Sequence, residues 1–344
     1  MGKMIDTKVM STLGEIVDIL RKEQKFVITF HVNPDYDAVG SALGMLYILR
    51  EMGKDSVLVV SEEKREVFEK TFSFLPLWDE IEGIEKLNGM SLSDYVVIVL
   101  DSGEVKRIGK NFEEFLRKFK LVLNIDHHHD NELFGTYNLV NSEVVGTGEF
   151  VYQIAKEFGI QITKELASLI YSSIVGDGGS FRFDSVKPST HRITAELLET
   201  GIEPSFFTMN MFQNKTVSFI KFEGEVFQNL KTCCENKVVW VIITDDLLRK
   251  YGLTDGEVEP VVEDIGRIKD AVIYFTIKEK REKGIISVAL RSKGNIDVSK
   301  VARKLGGGGH KNASGIAFEM SMGVDKVEEM VIKEIASSFN DGAL

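Results

Sequence analysis

Three observations predict an α/β fold in two domains. The chain has 344 residues, enough for about two domains at roughly 100–200 residues each. Its first half alternates short Val-, Ile- and Leu-rich runs with stretches of helical spacing, as in a parallel sheet covered on both faces. After Phe183 the pattern changes, and a second, shorter α/β alternation begins near Val238.

The elements follow in order. Phe26–Phe30 is too short an apolar run for a buried helix and reads as a strand. Ala38–Met52 has helical spacing. Ser56–Val60, Tyr95–Leu100 and Leu121–Ile125 read as further strands, and helices are expected over Gly148–Phe158, Lys164–Ile174 and Ser189–Glu199. Val217–Leu230 is expected as a helix linking the two domains, with Pro204 interrupting the stretch before it. The second unit reads as strands Val238–Thr244, Ala271–Ile277, Ile285–Leu290 and Ile316–Phe318, with helices Val298–Leu305 and Val324–Ser338. The expected division is a first domain over 1–199, a helical linker over 200–230 and a second domain over 231–344.

Composition narrows the function classes. With 43% hydrophobic and 28% charged residues, the chain is globular rather than disordered. Its net charge of −11 argues against a partner such as long nucleic acid or an anionic membrane, because neutralising phosphates needs a basic surface. A short oligonucleotide in a local pocket remains compatible. No apolar run reaches the ~18–20 residues of a membrane helix, and the start of the chain has neither the apolar core nor the cleavage site of a signal peptide. The adjacent Cys233 and Cys234 offer no disulfide framework and no zinc-knuckle spacing. A cytoplasmic location is expected.

Ligands of α/β sheets bind beyond the carboxyl ends of the strands. Phe26–Phe30 exits into His31, Asp35 and Asp37. Tyr95–Leu100 exits into Asp101, and Leu121–Ile125 exits into Asp126, His127, His128 and His129. A fourth cluster, Gly176-Asp177-Gly178-Gly179-Ser180, follows an apolar helix. Taken singly, each has an ordinary explanation: Asp35 as a helix cap, Asp101 as a loop residue, Gly176–Ser180 as a helix stop. Together, four acidic or His-bearing loops on one sheet edge would repel one another without a cation, and the pattern predicts a metal site. Mixed imidazole and carboxylate donors suit Mn, Fe, Co or Zn better than Ca. Two His and four Asp exceed the needs of one ion with an open position and fit two ions about 3.5–4 Å apart.

The motifs His31-x-x-x-Asp35-x-Asp37-x-x-Gly40-Ser41, Asp101-Ser102-Gly103, Asp126-His127-His128 and Gly176-Asp177, in that order, resemble the four motifs of the DHH phosphoesterases. Gly306-Gly307-Gly308-Gly309-His310-Lys311-Asn312-Ala313-Ser314-Gly315 resembles the glycine-histidine signature of the associated DHHA1 domain. The motifs run from residue 31 to residue 315, and the two-domain length resembles the stand-alone nanoRNase and pAp-phosphatase-like subfamily. Tyr36 stands where small residues are common, and Gly178 where Thr is frequent; neither removes a ligand.

The resemblance implies a DHH domain and a DHHA1 domain with the active-site cleft between them. It implies two divalent ions, with manganese the expected metal. His31 and Asp35 would hold one ion, Asp37, His127 and Asp177 the other, and Asp101 would bridge both. His128 would act beside the scissile phosphate as stabiliser or general acid, with Asp126 orienting the His pair. In the second domain Arg291, Ser292, Gly307, Gly308, Gly309 and His310 would hold the substrate, the glycine amides forming an anion-binding nest. His129 is read as a surface residue, Arg182 as either a cleft or a surface residue, and Ser41 and Ser102 as cap and turn residues. The implied function is hydrolysis of very short 5′-phosphorylated RNA and of linear dinucleotides such as pApA, with pAp and cyclic-di-AMP as further substrates, in a homodimer. Two alternatives stand beside it: an inorganic pyrophosphatase or exopolyphosphatase, and a metal-dependent nucleotide sensor without turnover. A Rossmann dehydrogenase is disfavoured, since the first strand does not lead into G-x-G-x-x-G.

Overall fold

The computed structural model describes residues 10–61, 65–110, 114 and 116–340. The chain divides into two compact units between Asn214 and Lys215.

The first unit opens with α1 (Leu13–Lys22). Thr12 and Glu15 form a reciprocal capping box at its start, and Ile16, Val17 and Leu20 are its buried stripe. Then come β1 (Lys25–Thr29), α2 (Tyr36–Glu51), β2 (Asp55–Val60), α3 (Arg65–Phe72), β3 (Ile81–Gly83), β4 (Val96–Leu100), β5 (Leu121–Asp126) and β6 (Tyr137–Val140). Helices α4 (Gly148–Glu157), α5 (Lys164–Asp177), α6 (Pro188–Glu199) and α7 (Pro204–Phe212) complete the unit. The six strands are parallel in the order β3-β2-β1-β4-β5-β6. Alternation along the strands feeds two cores. Phe26, Ile28, Val96, Ile98 and Leu100 belong to the core shared with α2, α4 and α5, whereas Val27, Val97 and Val99 face the other side. This double burial is why these strands read as unbroken apolar runs. The order reverses direction between β1 and β4, the point at which open α/β sheets bind ligands.

Helices α2 and α5 approach closely because Gly40 leaves room: a Cβ there would lie 2.6 Å from the Leu169 carbonyl oxygen and 2.7 Å from Ser172 Oγ. Helix α5 runs three residues past the expected Ile174 and ends on Asp177. Gly178 caps it, and the chain turns away through Gly179, Ser180 and Phe181, all with positive φ. Ser41 is not a cap. It is buried in the second turn of α2, where its hydroxyl donates to the Ala38 carbonyl.

The second unit contains α8 (Val217–Gln228), β7 (Lys231–Cys233), β8 (Val238–Ile243), α9 (Asp245–Tyr251), α10 (Val261–Ile265), β9 (Ile273–Lys280), β10 (Ile285–Ser292), α11 (Val298–Lys304), β11 (Gly308–Gly309), β12 (Ala313–Glu319) and α12 (Val324–Asn340). Its sheet order is β11-β12-β10-β9-β8-β7, antiparallel except for the β8/β9 pair. One face packs Trp240, Phe275, Val288 and Leu290 against Val298 and Val301 of α11 and Val327, Val331 and Ile335 of α12. The other buries Val239, Val241 and Tyr274 with Phe222 of α8 and Val261, Val262 and Ile265 of α10.

The stretch 200–230 is shared out between the units. Phe207 and Met211 of α7 enter the first core, and Phe219, Phe222 and Val226 of α8 enter the second. Helix α8 therefore packs as a member of the second unit. The glycine run is a hairpin arm: Gly308 and Gly309 pair with Gly315 and Ser314, and the His310 amide donates to the Ala313 carbonyl at 2.8 Å. The glycines have a packing reason, since a Cβ on Gly307 would lie 2.2 Å from the Gly315 carbonyl oxygen.

Candidate metal centre

The exits of β1, β4 and β5 and the facing ends of α2 and α5 bring six side chains together. His31 follows β1 and is buried. Its Nδ1 lies 2.9 Å from the Val32 carbonyl oxygen. A carbonyl can only accept, so Nδ1 donates and the neutral ring carries its lone pair on Nε2. That atom is 3.4 Å from Asp101 Oδ2 and 3.8 Å from Asp35 Oδ2. Asp35 is the N-cap of α2, its Oδ1 accepting from the Ala38 amide at 3.0 Å. The helix-cap reading and the cluster reading of Asp35 are thus both true, one for each oxygen.

Asp37, two residues further on in the first turn of α2, is fully buried. The Thr147 amide donates to its Oδ2 at 2.8 Å and the Gly148 amide to its Oδ1 at 3.2 Å, and the Ser173 hydroxyl donates to Oδ1 as well. His127 Nε2 is 3.6 Å from Asp37 Oδ2, 3.4 Å from Asp101 Oδ1 and 3.0 Å from Asp177 Oδ2. His128 Nδ1 lies 2.7 Å from Asp126 Oδ1. Asp126 is held in turn through its other oxygen by Asn131 Nδ2, which also reaches Asn124 Oδ1 at 2.8 Å.

Asp101 lies at the centre, within 3.7 Å of His31, His127 and His128, and its φ of 54° is left-handed. Such backbone costs an L residue of order 1–3 kcal/mol and persists where the surroundings impose it. Three sets of donors emerge, each with its ligating atoms within 4.8 Å of one another: His31–Asp35–Asp101, Asp37–His127–Asp177 and Asp101–His127–His128.

The electrostatics pull in opposite directions. Burial, then the charges of Asp101 and Asp177, push Asp35 up to about 6 and Asp37 well above the carboxylate range. Burial also opposes the charge on Asp101, yet His127 and His31 hold its carboxyl below that range. Burial disfavours the His127 imidazolium, but Asp101 and Asp177 push it up to about 12. Asp126 raises His128. The crowd of carboxylates demands positive charge. A divalent cation also fits the donor set: His31 Nε2, His127 Nε2 and Asp101 Oδ1 are buried and without a hydrogen-bond partner, and buried polar atoms are rarely left so.

Among the other residues singled out by sequence, His129 and Arg182 are exposed, and Arg182 Nε donates to the Gly179 carbonyl. The Ser102 hydroxyl bonds the Glu104 carbonyl in a turn. In the second unit, Arg291 Nε pairs with Glu263 Oε1 at 2.9 Å. Ser292 is buried, its hydroxyl donating to the Ile296 carbonyl and accepting from Asn312. Gly308, Gly309 and His310 are exposed on the hairpin, and Gly307 is half-buried.

Sequence reasoning missed the groups that fix the cluster: Thr147, Gly148, Ser173, Asn124 and Asn131. The helix starting at Gly148 is expected from sequence, but nothing there ties its first amides to Asp37. Ser173 lies inside an apolar helix, and its partner stands 136 residues away in the chain.

Residues 25–174 match the model of the DHH family, N-terminal domain, and residues 231–340 that of the DHHA1 domain. The chain is 30% identical over 308 residues to the bifunctional oligoribonuclease and PAP phosphatase NrnA of Bacillus subtilis, covering 88% of this chain and 92% of that protein. It is 29% identical over 326 residues to the protein of the same name from Thermus thermophilus, covering 93% and 92%. A solved structure of an exopolyphosphatase-related protein from Bacteroides fragilis superposes with a TM-score of 0.82 at 26% identity, over 95% of this chain and 98% of that one. The chain belongs to the DHH family of phosphoesterases and carries a C-terminal DHHA1 domain.

Proposed function

We propose that this phosphoesterase hydrolyses very short 5′-phosphorylated oligoribonucleotides and linear dinucleotides of the pApA type to mononucleotides, and that it also dephosphorylates pAp. The observation that carries the reading is the convergence of three unpartnered buried atoms, on His31, His127 and Asp101, within one cluster of carboxylates. Relatives named as oligoribonuclease and PAP phosphatase, aligned along nearly the whole chain, support the substrate class.

In this reading His31 and Asp35 would hold one divalent ion, Asp37, His127 and Asp177 would hold a second, and Asp101 would be shared, with manganese the metal of choice. Bound divalent ions would make a water acidic enough to act as nucleophile near neutral pH and would supply positive charge to the phosphoryl oxygens. The chain's own groups do the rest. The Thr147 and Gly148 amides and the Ser173 hydroxyl keep Asp37 in one orientation. Asp126 accepts from Nδ1 of His128, which favours the charged ring. His128 can thus stabilise a phosphoryl oxygen or give its proton to the leaving oxygen. Arg291, the Gly307–Gly309 run and His310 hold the end of the substrate away from the cut; Ser292, buried and bonded to Ile296 and Asn312, fixes the strand end beside them instead of touching the substrate.

The test is a manganese-dependent assay of pApA, pAp, cyclic-di-AMP, pyrophosphate and polyphosphate on one preparation. The reading expects pApA and pAp to be turned over well ahead of the two inorganic substrates. Preference for pyrophosphate or polyphosphate would replace it with the inorganic-phosphatase alternative.

A further inference from the structure

Part of one face of the C-terminal sheet is a groove of about 360 Å3. Its floor is made of small residues: Ala289, Ala313 and Gly315. Its cations are Lys278 and Lys280 of β9 and Arg291 of β10. Arg291 pairs across the strands with Tyr274, four residues before Lys278 and six before Lys280. At about 3.4 Å per residue those separations are roughly 14 and 20 Å along the strand. One phosphate cannot span them, so a ligand touching both ends carries at least two.

All three cations are already engaged. Lys278 Nζ lies 2.6 Å from both Asp255 Oδ1 and Glu259 Oε1. Lys280 Nζ lies 2.8 Å from Asp255 Oδ2, and Arg291 Nε lies 2.9 Å from Glu263 Oε1. The three carboxylates recur every fourth residue along 255–263. They are not what anchors that segment, because Val258, Val261, Val262 and Ile265 are each no more than 2% exposed. The Glu259 and Glu263 side chains are 56% and 60% exposed, and ion pairs with so exposed a partner are weak. Lys278 is itself buried and also donates to the Asp255 carbonyl, so incoming phosphates compete most directly for Lys280 and Arg291 while the segment stays anchored.

We propose that Asp255, Glu259 and Glu263 form a built-in row of counter-anions that a ligand with two or more separated phosphates must displace to lie across this groove, so that the row sets the affinity for oligonucleotides longer than one nucleotide. The inference rests on the reading of Arg291 as a substrate-holding residue and adds to it a determinant of substrate length.

The test uses the full chain stripped of metal with EDTA, so that binding is read without turnover. Fluorescence anisotropy is measured with a 5′-phosphorylated tetra-adenylate and with 5′-AMP, each carrying a 3′ fluorophore, over a range of salt. Glu259→Gln is expected to bind the tetranucleotide several-fold more tightly and leave the mononucleotide unchanged. Glu263→Gln, which frees Arg291, is expected to tighten both. Glu263→Gln should steepen the plot of log affinity against log salt by about 0.7, and Glu259→Gln by less, because Asp255 still holds Lys278 and Lys280. Adding Gly315→Val should cancel the gain for the tetranucleotide by filling the floor; the sheet accepts it, because a Cβ there meets only the Val288 carbonyl oxygen, at 3.8 Å. Unchanged affinity and slope in both Gln variants would overturn the proposal, as would equal tightening of the two probes by Glu259→Gln. Arg291→Ala separates the two readings. If it weakens binding while the Gln variants do nothing, the counter-anion row fails and the role of Arg291 stands. If it weakens nothing while Glu259→Gln still tightens the tetranucleotide, the role of Arg291 fails.

Discussion

Asp101 combines a buried carboxylate, contacts to three imidazoles and a left-handed backbone. Asn is nearly isosteric and tolerates that backbone better than most residues, so Asp101→Asn isolates the charge. The variant should fold with a Tm close to that of the parent. Its bound metal and its pApA hydrolysis should fall by more than the ~10–100-fold that losing a supporting residue costs. Elemental analysis beside a rate measurement checks both, and a fully metallated, active variant would remove Asp101 from the centre. The two neighbouring histidines should behave differently. His127 touches Asp37, Asp101 and Asp177, so His127→Ala should lose metal. His128 is anchored to Asp126, so His128→Ala should keep its metal and lose mainly kcat, by ~10²–10⁴. Equal metal loss in both variants would refute this division.

At the scale of elements, the centre depends on how closely α2 and α5 pack, since these helices present Asp37 and Asp177. A Cβ on Gly40 would strike the Leu169 carbonyl at 2.6 Å. Gly40→Ala should therefore destabilise the chain by ~1–3 kcal/mol and weaken metal binding with it. Gly224, inside α8 with nothing within 4 Å of its would-be Cβ, is the opposite case. Gly224→Ala should stabilise by ~0.5–1 kcal/mol. Thermal melts of the two variants test both signs. The same contrast explains what was legible in the sequence. Strands β1, β4 and β5 could be read because burial on both faces made them apolar throughout. Strands β3, β7 and β11 are two or three residues long and lie at or next to sheet edges, too short to show a period. Helices α1 and α9 went unread although both carry threonine caps, Thr12 and Thr244. Most of the site's charged residues were legible because they sit just beyond strand ends, and Asp177 because it stands among glycines where an apolar helix stops. Ser173, Thr147 and Gly148 were not, because their role exists only once α4 and α5 have been brought against Asp37.

The whole molecule places its chemistry by topology. Sequence identifies strands but not their order, and the order β3-β2-β1-β4-β5-β6 puts the exits of β1, β4 and β5 side by side at the reversal. A chain of net charge −11 gathers four aspartates there, Asp35, Asp37, Asp101 and Asp177, and an arrangement of this kind is stabilised by cations. Among the described residues no helix is long and apolar enough to cross a membrane. We propose that this cluster is a two-metal phosphodiesterase centre. The most direct measurement strips the protein with EDTA, titrates it with Mn2+, and follows bound metal per chain and pApA hydrolysis on the same samples. The stripped protein should hydrolyse nothing, and the rate should rise as the second ion per chain binds. Undiminished hydrolysis by the stripped protein, or a full rate at one ion per chain, would rule out a two-metal centre.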